Sequence, residues 1–189
     1  MKFMNGPTLG YIDAFKNREI MNDIAIELKG EFRVHLSTSN IIEYHTISIP
    51  YKKWEIVLSI SDTTPLKISI PFATHSDFEM VLGLEDFTDK LMKKLGKSEI
   101  TLGWDTFDNK YFIQSNKPDL LKSVITSDIQ KEMLKRNIYS LSFQTDSKHN
   151  YAVLTSVIQR NTGSKEMILE LIEMFKVLLD RLKEQKIIE

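Results

Sequence analysis

The 189-residue chain has no cysteine. That absence excludes disulfides, zinc ribbons and thiol nucleophiles together. Glycine is scarce, with 7 in all, and the glycines form neither G-x-G-x-x-G nor G-x-x-x-x-G-K-S/T. Nucleotide binding through either phosphate-cradling loop is therefore set aside. Neither sign of charge dominates, since 25 Lys and Arg stand against 26 Asp and Glu. That balance gives no global attraction to nucleic acid or to an anionic membrane, and the expectation is no nucleic-acid partner. No apolar run approaches the roughly 20 residues that a bilayer span needs. The stretch from Met1 to Pro7 lacks the apolar core of a signal peptide. No membrane span and a cytoplasmic location are the resulting expectations.

What is present is ordinary globular material, 42% hydrophobic and 27% charged. The length suits a single domain over 1–189, with a hint of two sub-halves at about 1–96 and 97–189.

The first eight residues look poorly tied down. Ile20, Met21, Ile24 and Leu28 then recur on one helical face. The spacing predicts a helix ending at Gly30, with the glycine as a left-handed cap and Lys29 suiting the helix dipole. A hairpin across Lys29-Gly30 is the rival, because Ile24, Ile26 and Leu28 also alternate. Residues 31–84 read as strands. Phe32, Val34 and Leu36 alternate, and 41–49 is rich in β-branched and aromatic residues. Trp54, Ile56, Leu58 and Ile60 alternate, as do Leu66, Ile68, Ile70 and Phe72, across turn chemistry at Ser61 to Pro65. This pattern predicts a hairpin of 53–61 with 65–73, and 77–82 is a further candidate strand. Short strands with short connections imply an antiparallel meander with one buried face.

A helix is expected from Leu84 to Leu95, with Asp86 and Asp89 near its start and Gly96 beyond its end. A strand follows at Tyr111–Ser115. Asn116 is placed to cap a short helix carrying Leu120 and Leu121. Ser127 with Gln130 fits a capping box for a second helix. Tyr139, Leu141 and Phe143 alternate, as do Tyr151, Val153 and Val157, around a turn at 146–150. A broad stripe from Met167 to Leu182 marks a long C-terminal helix. Strands and helices cluster rather than alternate. The expected fold class is α+β, an antiparallel sheet made of a meander plus a C-terminal hairpin and covered by helices. The C-terminal stripe is expected to cover the sheet of its own chain, so a monomer is favoured over a homodimer.

No catalytic signature stands out. The histidines form no H-x-H or H-E-x-x-H pair, although Glu43 and His45 share a strand face. The expectation is no metal and no cofactor. There is no G-x-S-x-G elbow. Asp105 and Asp108 form a local acid pair of the kind a hydrolase could use, and loop capping explains them equally.

The densest signal is Gly103 to Asn116, with four aromatics among turn formers. In the structural reading, Trp104 and Phe107 plug the core with Tyr111 or Phe112, and Asp105 or Asp108 bonds local backbone N–H groups. In the functional reading, Trp104, Asp105, Phe107, Asp108 and Tyr111 form a partner- or ligand-binding edge, since Trp and Tyr are favoured anchors. The run Phe107-Asp108-Asn109-Lys110-Tyr111-Phe112-Ile113, followed by Asn116 and Leu120-Leu121, resembles uncharacterised bacterial proteins. Those carry an F-D-x-x-F/Y-x-I/V strand before a short helix. The resemblance implies a shared α+β arrangement and a bacterial origin, with no activity or catalytic residue to carry over.

Three functions follow as expectations. The first is a non-enzymatic interaction or accessory domain with a protein partner. The second is a carrier holding a small apolar ligand or lipid in a cavity between sheet and helix. The third is a hydrolase using Asp105 and Asp108 or the strand histidines.

Overall fold

The computed structural model describes residues 14–37, 42–61, 63–84, 99–146, 148–158 and 164–189, with backbone only at 14 and 15. The first eight residues and the helix expected from Leu84 to Leu95, including Asp86 and Asp89, lie outside the described residues, Leu84 itself excepted.

Eight strands form one antiparallel sheet. They are β1 (Glu31–Leu36), β2 (Glu43–Tyr51), β3 (Trp54–Ser61), β4 (Lys67–Ala73), β5 (Met80–Leu84), β6 (Tyr111–Ser115), β7 (Ile138–Asp146) and β8 (Tyr151–Ile158). The order across the sheet is β1-β2-β3-β4-β8-β7-β5-β6. The first four strands are the expected meander, and β7-β8 is the expected C-terminal hairpin. The fifth strand leaves the meander and pairs with β7 and β6 instead of β4. Five helices complete the described fold: α1 (Ala14–Glu27), α2 (Asp105–Asp108), α3 (Pro118–Val124), α4 (Ser127–Lys135) and α5 (Lys165–Glu184).

Strand alternation sets the buried face. Trp54, Ile56, Leu58 and Ile60 are all buried, as are Ile68, Ile70 and Phe72 across the hairpin. Burying each such side chain contributes about 1.5–3 kcal/mol. In β8 the buried set is Ala152, Leu154, Ser156 and Ile158, while Tyr151 is exposed and Val153 and Val157 are half-buried. The pairings Phe143–Leu154 and Leu141–Ser156 place those residues inward, and a strand's alternation then turns Tyr151 outward.

The turn after α1 corrects an expectation. Lys29, not Gly30, takes the left-handed conformation, at φ 54°. The need for glycine at position 30 is steric, because a Cβ there would sit 2.5 Å from the Ser48 carbonyl oxygen. The rival hairpin does not form, and Ile26 is exposed while Ile24 is buried.

The long helix α5 starts at Ser164, whose hydroxyl accepts the Met167 N–H. Its eight buried residues, Ile168 to Leu182, join the same cluster as the sheet side chains. Side chains therefore fill the layer between α5 and the sheet, and the apolar stripe is covered by its own chain. Tyr51 at the β2–β3 turn fastens this layer, donating its hydroxyl to Asp180 on α5 at 2.9 Å. Lys52 pairs with the other oxygen of the same carboxylate. Among the described residues, no helix is long and apolar enough to cross a membrane.

Candidate functional site

The aromatic segment forms one wall of a cleft. Residues 99–104 run beside the edge strand β6, with the Ile100 N–H donating to the Ile113 carbonyl at 2.9 Å. The chain then turns through α2, where the Trp104 carbonyl accepts from the N–H groups of Phe107 and Asp108 at 2.8 and 2.9 Å. The Asp108 carboxylate reaches back to the N–H groups of Leu102 and Gly103 at 2.9 and 2.8 Å. Gly103 has a φ of +88°, a conformation that side chains disfavour. Carboxylate and glycine together close the loop and fix where Trp104 emerges.

The aromatics of this segment divide between two environments. Phe107 is 0% exposed and enters the core. Tyr111 lies against it at 4.6 Å between ring centroids and donates its hydroxyl to the Ile138 carbonyl at 2.6 Å. Burial pushes the Tyr111 hydroxyl pKa well above the usual phenol range. Trp104 stacks over Phe107 at 6.5 Å with 11° between the planes, yet stays half-buried and lines the cleft. Trp104 is less buried than Phe107 and packs against the core cluster from its edge.

The opposite wall is the corner between α3 and α4. Helix α3 opens at Lys117 with Pro118 in its first turn, where a missing N–H is tolerated. Asn116 does not cap it, because the Asn116 side chain accepts the Glu79 N–H at 2.7 Å and bonds the Asp77 carbonyl. The N-cap of α4 is Thr126, at φ −70° and ψ 168°. The expected Ser127–Gln130 capping box therefore does not form. With the cap one residue earlier, Gln130 falls one position too deep and turns inward.

Gln130 is only 5% exposed. Its Nε2 donates to the Ile125 carbonyl at 3.0 Å. A carbonyl can only accept, so this bond fixes which way the amide points. Among the described residues, the Gln130 Oε1 has no hydrogen-bond partner, and neither has the Thr126 Oγ1. Both residues line the cleft, which has a volume of about 370 Å³. Trp104, Leu102 and Ile125 supply its apolar surface, and Lys122 adds a cation on α3. Buried polar atoms are normally paired, and here a buried amide oxygen and a buried hydroxyl stand unpaired among the described residues, in side chains that line the cleft beside the half-buried Trp104.

Of the five residues singled out from sequence, only Trp104 lines this cleft. Asp105 is exposed, Asp108 is engaged by the loop, and Phe107 and Tyr111 belong to the core. The acid pair therefore does not face across the cleft. Lys122, Thr126 and Gln130 escape sequence reading: Gln130 is taken into a supposed helix cap, and Lys122 and Thr126 carry no distinctive signal.

The Glu43–His45 pair sits in a small polar cluster with Arg18. Glu43 accepts from Arg18 at 2.6 Å and lies 2.6 Å from the Nε2 of His45. The Arg18 guanidinium, with His45 second, holds the Glu43 carboxyl below the usual range. No group of three His, Asp or Glu side chains positioned for a metal occurs among the described residues.

No family model matches the chain, and no curated protein matches it. Among solved structures, the fold is similar to the mycobacterial trehalose monomycolate transport factor A, TtfA. The TM-score is 0.51 at 9% identity, covering 87% of this chain and 95% of that one. At that identity the likeness is one of fold.

Proposed function

We propose that this chain is a non-enzymatic accessory domain of a bacterial transport process, acting by binding at the Trp104 cleft. The observation that carries this reading is the pairing state of the cleft. Among the described residues, its buried Gln130 and Thr126 oxygens lack partners, while the nearby carboxylates are engaged or turned to solvent. That inventory suits recognition: an indole, an amide, the hydroxyls of Thr126 and Ser127, and one ammonium. Among the described residues that line it there is no carboxylate and no histidine. The fold of TtfA, named a trehalose monomycolate transport factor, supports a transport-associated setting and partner.

The test is cross-linking from position 104. A photoreactive residue replacing Trp104, used in cells of the source bacterium, is expected to capture a transport-associated component. Trp104→Ala is expected to lose that component in co-purification while remaining folded. Turnover of an ester or glycoside substrate that disappears in Asp105→Asn would overturn the reading in favour of a hydrolase.

A further inference from the structure

We infer that β1 is a docking edge for a second copy of this chain, which adds its own β1 antiparallel across a two-fold axis. The surface is separate from the cleft and from the α5 stripe on which the monomer expectation rests. The two edges of the sheet differ. Along β6 the 99–104 segment lies alongside, with the Ile100 N–H bonded to the Ile113 carbonyl. Among the described residues, nothing pairs with the outer side of β1. The ladder fixes which groups face that side. The Ser37 N–H donates inward to the Ile42 carbonyl at 2.7 Å, and backbone direction alternates along a strand. The odd residues of β1 therefore bond β2, and the N–H and C=O groups of Phe32, Val34 and Leu36 point away from the sheet. Phe32 and Val34 pair across the ladder with the buried Ile47 and His45, so these apolar side chains share the core face. Yet Val34 is 41% exposed and Leu36 55%. Edge strands are normally guarded by lysine, proline or a bulge. Glu31–Leu36 holds neither lysine nor proline, and its register with β2 runs unbroken.

Charge order selects the partner. The opposite face of β1 carries Glu31, Arg33 and His35, all exposed, with the acid at the start of the strand and the imidazole at its end. An antiparallel copy with Arg33 on the axis sets Glu31 of each chain opposite His35 of the other. The same register places each Arg33 diagonal to Glu31 of the other copy, within cross-strand reach. Each guanidinium is already held by its own Glu31 at 2.8 and 2.7 Å, which offsets the meeting of the two Arg33 side chains at the axis. On the apolar face, Phe32 of each copy lies opposite Val34 of the other, with Leu36 on the diagonal. Those opposed pairs use the outward N–H and C=O groups, so each exchanges both of its main-chain bonds. An unrelated extended segment meets the same backbone groups but has no reason to carry this reversed order of charge.

The experiment measures the mass of the full chain by light scattering at roughly 100 μM, and a dimer is expected. Val34→Pro removes an outward N–H and no bond to β2. It is expected to be a monomer with the circular dichroism of wild type. Arg33→Cys puts a single thiol at the axis of a chain that has no cysteine. A non-hydrogen-bonded pair there brings the two Cα atoms to about 4.5 Å, within disulfide reach. Mild oxidation is expected to give a covalent dimer of Arg33→Cys and none of Tyr151→Cys, whose position on β8 is also exposed. If Val34→Pro fails to fold, the oxidation pair decides alone. A monomeric wild type would overturn the inference. So would a dimer that persists in folded Val34→Pro, or an Arg33→Cys chain that cross-links no more than Tyr151→Cys.

Discussion

Two polar clusters of similar make-up lie in different parts of the molecule. At the β2–β3 turn, Tyr51 and Lys52 meet Asp180 of α5, and both carboxylate oxygens are engaged. At the corner between Trp104 and α4, an aromatic, a lysine, an amide and two hydroxyls meet around a cleft, and two buried oxygens have no partner among the described residues. Each cluster joins a loop to a helix beside an aromatic ring. The two clusters differ in pairing and in openness: the first closes a layer, whereas the second keeps unpaired polar atoms in side chains that line an open cleft.

The comparison breaks most sharply below Trp104. Phe107→Ala removes a fully buried ring stacked with Trp104 and is expected to cost about 3–5 kcal/mol. Urea unfolding measures it, and stability close to wild type would mean that the aromatic corner is not part of the core. Tyr111→Phe leaves the Ile138 carbonyl without its donor, at an expected cost of about 1–3 kcal/mol. Its pH dependence has a definite sign. Burial raises the folded-state pKa of Tyr111, so its contribution is complete below the unfolded value near 10. That contribution declines as pH rises beyond it, and melts between neutral and strongly alkaline pH should show the decline lost in Tyr111→Phe.

The fastening at α5 predicts a smaller effect. Tyr51→Phe removes one bond to a partly exposed carboxylate and should cost about 1 kcal/mol. Burial alone would raise the Asp180 pKa, but the bonds from Lys52 and Tyr51 outweigh it and hold the carboxyl below its usual range. The stabilisation is therefore present above the unfolded carboxylate pKa of about 3.9 and lost as pH falls through the folded value. Acid unfolding of Asp180→Asn should begin from lower stability and fall less steeply than wild type. The smallest effect belongs to Trp104→Ala, expected within about 1 kcal/mol, since the ring caps the core from outside.

Local order was legible in the sequence wherever one face of one element decides it. The alternation in β3 and β4 and the stripe of α5 required nothing beyond their own periods. Topology was not legible in the same way. The placement of β5 between β7 and β6 depends on pairings remote in sequence, and its apolar pattern suits a place beside β4 equally. Around the cleft, a one-residue error decided the outcome. Reading Ser127 as the cap makes Gln130 a surface partner, whereas Thr126 as the cap makes it a buried amide. Trp104 and Phe107 carry the same aromatic signal, and only the Asp108-closed loop separates a core ring from a cleft wall.

That separation is tested most directly by Gln130→Leu, measured by equilibrium urea unfolding of the free protein. The substitution loses one bond to the Ile125 carbonyl and removes one unpartnered oxygen. These effects oppose each other, so stability is expected to stay within about 1 kcal/mol of wild type. A loss of about 3 kcal/mol or more would place Gln130 among the fastenings of the fold, contradicting the assignment of the cleft as a binding site.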